Sequence, residues 1–184
     1  MKIKIKNKKG FSFIEVMISV FILLVGILAV LGLMTSVLKN SIDAKNQEIA
    51  GFLSQEGVEL VRNDRDNNWA AGHSSFSSPF PNTNKENCRI DMNSHLNNCN
   101  NGHSKDLYLN SQDFYVHNHT GHPTKFKREI KINYESGHNA SNSDWADVIG
   151  MVTWDGASFP ASLSGCNLNS KCVYTKVTLR RWGE

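Results

Sequence analysis

The pattern of apolar and polar positions divides the chain into four stretches. From residue 11 to 34 almost every position is apolar or small, and the one charged residue is Glu15. From 35 to 64 apolar residues recur at three- to four-residue steps. Val37, Leu38, Ile42, Ile49, Phe52, Leu53, Leu60 and Val61 mark the stripe, with Lys39, Lys45, Gln47, Glu48, Gln55, Glu56 and Arg62 between them. No proline occurs from Met1 to Ser78, so one helix is predicted from about Ser12 to about Asn63. The run Asn63-Asp64-Arg65-Asp66-Asn67-Asn68 is predicted to end it, because Asn and Asp side chains compete for the backbone.

Residues 70–123 show little periodicity and are rich in Asn, Ser, Gly and His. They are predicted to form a long variable loop, with short strands around Cys88–Met92 and Leu107–Leu109. Alternation returns late in the chain. Thr124–Tyr134 sets Phe126, Ile130, Ile132 and Tyr134 against Lys127, Lys131 and Asn133. Ala146–Trp154 reads as a second strand, closed by an Asp155-Gly156 turn. Lys171–Trp182 is the third, with Val173, Thr175, Val177 and Leu179 on one face. A long helix followed by such strands predicts an α+β fold, its helix packed on a C-terminal antiparallel sheet spanning 124–182.

The first apolar stretch is a membrane-spanning helix by length and composition. About 20 apolar residues cross a hydrocarbon core of ~30 Å, and in lipid only a helix satisfies that backbone internally. Five lysines (Lys2, Lys4, Lys6, Lys8 and Lys9) precede it, which places the N-terminus in the cytoplasm and the rest of the chain outside. The apolar run is too long for a secretory signal peptide, and no small-x-small cleavage pattern follows it. The remainder, residues 65–184, is long enough for one globular core.

Charge changes the picture only at the start. The 184 residues carry a net charge of +3, and removal of the five leader lysines takes it to −2. The exported part is therefore not basic, and no nucleic-acid surface is expected. The four cysteines, Cys88, Cys99, Cys166 and Cys172, all fall in the predicted exported region, where disulfides persist. Four cysteines allow three pairings. Local pairing is preferred, since Cys88–Cys99 and Cys166–Cys172 each close a short polar loop, and free thiols or zinc are the alternatives.

Glu15 needs a reason, because a carboxylate inside an apolar segment costs insertion energy and marks a functional candidate. Lys8-Lys9-Gly10-Phe11-Ser12-Phe13-Ile14-Glu15 resembles the processing and methylation motif of type IV pilins and type II secretion pseudopilins. The resemblance implies that a prepilin peptidase cuts between Gly10 and Phe11, removes residues 1–10 and methylates the new amine of Phe11. Glu15 would then serve assembly. A cleaved Phe11 ammonium and the Glu15 carboxylate would pair within or between subunits, which sets a register. The family's commonest form has Thr and Leu where this chain has Ser12 and Phe13, and many members carry a membrane-segment proline that is missing here. A second, weaker resemblance rests on Trp154, Val177, Leu179 and Trp182, which look like the sheet of V-like minor pilins. Between them the resemblances leave residues 65–120 unaccounted for.

His117, His119 and His122 form the one tempting metal cluster, with His117 and His119 on one face if the segment is extended. Carboxylates at a useful spacing are missing, so no metal or other cofactor is expected. The Asn/Asp-rich stretches 63–68 and 91–101 have calcium-loop composition without the D-x-[DN]-x-[DN]-G pattern. No G-x-S-x-G, H-E-x-x-H or Walker A sequence occurs, and no enzyme is expected. The function implied is structural, that of a filament subunit, minor rather than major, anchored in the bacterial cytoplasmic membrane and then carried into a periplasmic or extracellular filament. Its expected partners are the prepilin peptidase, other pilin or pseudopilin subunits and the inner-membrane assembly platform. The rival reading is an anchored extracytoplasmic binding domain with no filament role.

Overall fold

A computed structural model describes residues 10, 12–92, 94–97, 99 and 104–182. The basic leader up to residue 9 and Phe11 lie outside the described residues. One α-helix, α1, spans Phe13–Ala70. Among the described residues seven strands follow: β1 (Lys85–Asp91), β2 (Ser94–Asn97), β3 (Asp106–Leu109), β4 (Tyr115–Val116), β5 (His122–Tyr134), β6 (Trp145–Trp154) and β7 (Cys172–Arg180). The chain divides into two compact units, Met1–Ala44 and Lys45–Glu184.

In the first unit α1 is long and apolar enough to cross a membrane. Its large side chains, from Phe13 through Ile18 and Leu24 to Met34, are all exposed. Such a surface is incompatible with water and suited to lipid or to other helices.

The second unit is an α+β arrangement in which α1 packs on an antiparallel sheet. Asn46, Ala50, Leu53, Ser54, Gly57, Val58, Val61, Asp64 and Arg65 form its buried face, at helical spacing. β5 is the axis of the sheet. Along one edge it pairs with β6 in unbroken register, from Phe126↔Trp154 to Tyr134↔Ala146. Its other edge is shared by β3, near its start (Leu109↔His122), and β1, near its end (Lys85↔Ile132). β2 extends β1, β4 extends β3, and β7 closes the far side by pairing with β6.

Alternation along β5 and β6 sorts the core. Phe126, Ile130, Ile132, Val148 and Val152 face α1 and meet Leu53, Val58 and Val61. Ile149 and Met151 point the other way, where Phe159, Leu163, Cys166 and Cys172 of the β6–β7 connection cover them. Small residues let the helix come close. Ser54 Oγ hydrogen-bonds Gly150 O at 2.9 Å and Thr175 Oγ1 at 2.8 Å.

Two boundaries differ from the sequence expectation. The run at 63–68 does not end the helix, because its side chains bond across the fold or along the helix instead of to their own backbone. Asp64 accepts from Leu96 N–H at 2.7 Å, Asn68 Nδ2 donates to Ser77 O at 3.0 Å, and Asn67 Nδ2 donates to Asn63 Oδ1 at 2.6 Å. The expected loop at 70–123 holds four strands, not one long irregular segment with two. They are short, and register shifts interrupt the β1–β2, β1–β5 and β3–β5 pairings. Asn87 sits at φ 62° within β1. Such irregularity erases the period-2 signal.

Candidate functional site: the start of the helix and the polar hub of the sheet

The first candidate is local. Ser12 caps α1, its carbonyl accepting the Glu15 and Val16 N–H groups at 3.0 and 3.3 Å. Glu15 lies in the first turn, where a carboxylate suits the exposed N–H groups of a helix start. Ser19 Oγ donates to Glu15 O at 2.7 Å, but the Glu15 carboxylate has no partner among the described residues. Gly10 has open space around it, and a Cβ added there would meet nothing within 4 Å. No described contact within this chain demands glycine at that position.

Residues 5–31 match the family model of the prokaryotic N-terminal methylation motif. The match supports a type IV pilin-like or pseudopilin protein. The matched segment takes in Gly10 and Glu15 together with most of the apolar run, and the remainder of the chain lies outside it. No curated protein and no solved structure matches the sequence.

The four cysteines are joined locally, Cys88 to Cys99 and Cys166 to Cys172. The first bond closes the β1–β2 hairpin. The second ties the turn at Leu163–Gly165 to the first residue of β7.

The three histidines are not brought together. The chain turns after β4, so His117 and His119 do not share a strand face. His117 is buried, with Nδ1 2.7 Å from Asp91 Oδ1 and Nε2 3.3 Å from Arg128 O. His119 Nδ1 meets Tyr108 Oη at 2.7 Å, and His122 opens β5 opposite Leu109. Among the described residues no group of three or more His, Cys, Asp or Glu is placed to hold a metal ion.

The Asn/Asp stretches do meet, at a shallow hollow lined by Asn63, Asp64, Asn67, Asp91, Ser94 and His95. Their carboxylates are already engaged. Asp64 is bonded to His95 Nδ1 at 2.7 Å and to Leu96 N–H, and Asp91 faces His117.

Sequence reasoning missed the most connected charge in the molecule. Arg128 is fully buried on the helix-facing side of β5. Its Nη1 donates to Glu56 Oε2 at 3.0 Å, and its Nη2 donates to Ile90 O at 2.7 Å and lies 3.5 Å from Asp91 Oδ1. One guanidinium thus ties α1, β1 and β5 together. Burial alone would raise the Asp91 pKa, but the hydrogen bonds and charge of His117, with the charge of Arg128, outweigh it and hold it below the ordinary carboxylate range. The signal was present in the sequence. A charged residue stands on the apolar face of an alternating strand, between Phe126 and Ile130.

Proposed function

We propose that this pilin-like chain is a minor subunit, of the V-like type, in a type IV pilus or type II secretion pseudopilus-like filament. In this reading a prepilin peptidase cuts between Gly10 and Phe11 and methylates the Phe11 amine. The apolar helix first holds the subunit in the cytoplasmic membrane, with the C-terminal domain outside. An assembly platform then passes it to neighbouring subunits, whose helices replace lipid around residues 13–42. The reading assigns no catalysis to the chain.

The observation that carries the proposal is the methylation motif at 5–31 leading into a helix with exposed apolar side chains and a Glu15 carboxylate without a partner among the described residues. An anchor alone has no use for that carboxylate, and a subunit interface gains register from it. The deciding experiment is intact mass and N-terminal sequencing of the protein from native membranes, beside a Gly10→Ala variant. A mature chain beginning at methylated Phe11, lost in the variant, is the expected result. A chain beginning at Met1 in both, with the peptidase present, would return the protein to the class of plain anchored domains.

A further inference from the structure

The outer edge of β7 is an unfinished sheet. Arg181 N–H donates to Asp144 O and Trp154 N–H donates to Lys171 O, which sets the phase of the β6–β7 ladder. Residues Val173, Thr175, Val177 and Leu179 therefore direct their N–H and C=O groups to β6. Tyr174, Lys176 and Thr178 direct theirs away from it. No partner for these outward groups occurs among the described residues. The ladder runs from Trp145↔Arg180 to Thr153↔Cys172 without a bulge, and no proline interrupts the strand. Proteins usually blunt a long regular edge with a bulge, a proline or charge, and only charge is present here.

The side chains along this edge define what fits it. On the outer face Tyr174, Lys176, Thr178 and Arg180 are exposed. Lys176 is paired with Asp147 at 2.7 Å, while Arg180 has no acidic partner among the described residues. On the helix-facing side Val173, Thr175 and Val177 are only half-buried. An added strand would cover them with apolar side chains and set acidic ones beside Lys176 and Arg180. A second copy of β7 does not suit this edge, because two-fold pairing centred on Lys176 places lysine against lysine, and pairing centred on Thr178 places Lys176 against Arg180.

We infer that the β7 edge takes an extended segment of a different protein, alternating apolar and acidic residues, which pairs with the backbone of Tyr174, Lys176 and Thr178 as an eighth strand. The inference stands whether or not the chain is a filament subunit.

The test uses the full chain in detergent micelles and a fluorescein-labelled heptapeptide alternating glutamate with valine, beside its lysine–valine counterpart. Anisotropy should show the acidic peptide binding about tenfold or more tightly than the basic one. Hydrogen exchange at the Tyr174, Lys176 and Thr178 amides should slow about tenfold or more at saturation. Lys176→Pro removes an outward N–H and no bond to β6, and it should abolish binding. Arg180→Glu, which keeps every backbone group, should narrow the preference for the acidic peptide and serves if the proline variant misfolds. Equal affinity for both peptides, or unchanged exchange at the three amides under saturating acidic peptide, overturns the inference. So does a peptide-free dimer in sedimentation that Lys176→Pro dissolves, because the edge would then belong to a second copy.

Discussion

Gly150 lies directly against the carbonyl of Ser54. A Cβ at Gly150 would stand 2.6 Å from Ser54 O and 3.1 Å from Val58 Cγ2. The nearest atom is backbone, so neither side can yield without moving α1 off the sheet. Gly150→Ala should destabilise the C-terminal unit by about 1–3 kcal/mol, the range for overpacking. Thermal unfolding followed by tryptophan fluorescence measures this, and an unchanged melting temperature would show that helix and sheet are not so tightly apposed. Gly57→Ala meets Ile130 Cδ1 at 2.9 Å, the tip of a flexible side chain, and should cost less.

Arg128 should contribute more than Lys127 beside it in the same strand. Arg128→Met leaves Glu56 and Asp91 without their shared cation and frees the Ile90 carbonyl. Removing one partner of a buried charge network costs about 3–5 kcal/mol. Lys127→Met, at the exposed pair with Asp106, should fall within about 1 kcal/mol of wild type. Equal losses in the two variants, measured by denaturant titration, would contradict the network.

Asp91 should make the domain acid-sensitive. Its pKa is lowered in the fold, so the charged form is the one the fold prefers. Its contribution is fully present above the unfolded aspartate pKa of about 3.9 and fades as pH falls through the lower, folded value. Asp91→Asn should therefore be less stable than wild type at pH 6, with the gap closing below about pH 4. A gap that stays constant from pH 6 to pH 3 would remove Asp91 from the account.

The two disulfides should be separable in their effects. Loops near 15 residues gain about 3 kcal/mol from a bridge in the chain-entropy view, and the Cys88–Cys99 loop, at a separation of 11, lies close to that. The Cys88→Ser, Cys99→Ser double variant should lose about 2–4 kcal/mol, with enhanced exchange confined first to β1 and β2. The Cys166→Ser, Cys172→Ser pair should instead expose Ile149 and Met151, which limited proteolysis of the 155–171 segment would detect.

Under the filament reading, Glu15→Gln should leave membrane insertion intact and impair assembly. Shear-released filament protein is the measurement, compared with total membrane protein by immunoblot. Unaltered release would detach Glu15 from assembly.

The legible parts of the sequence were those with sustained period or a specific cluster. The 3.6 period from Val37 to Val61 located the helix. Alternation located β5 and β7, and an apolar run closed by the Asp155-Gly156 turn located β6, each within two residues at either end. Gly10 and Glu15 carried the motif without any structure. What stayed hidden depends on contacts between distant stretches. The Asn63–Asn68 run reads as a helix end until Leu96 and Ser77 supply partners for it. β2 and β4 are too short to carry a period, and β1 offers only Cys88 and Ile90 as buried positions. Arg128 was visible as an exception to its strand's pattern. Glu56 and Asp91, the partners that explain it, lie 72 and 37 positions earlier in the chain.

The central place of β5 dictates the order in which the sheet becomes possible. Every pairing that joins β1–β2 to β3–β4 runs through β5, and so does the link from both to β6 and β7. A nascent chain that has reached residue 121 holds the strands for two separate hairpins and no strand that pairs with both. The next 13 residues supply the common partner. Until they emerge, the first four strands offer open edges to any passing chain, and the Cys88–Cys99 bond is the one covalent restraint on them during that interval.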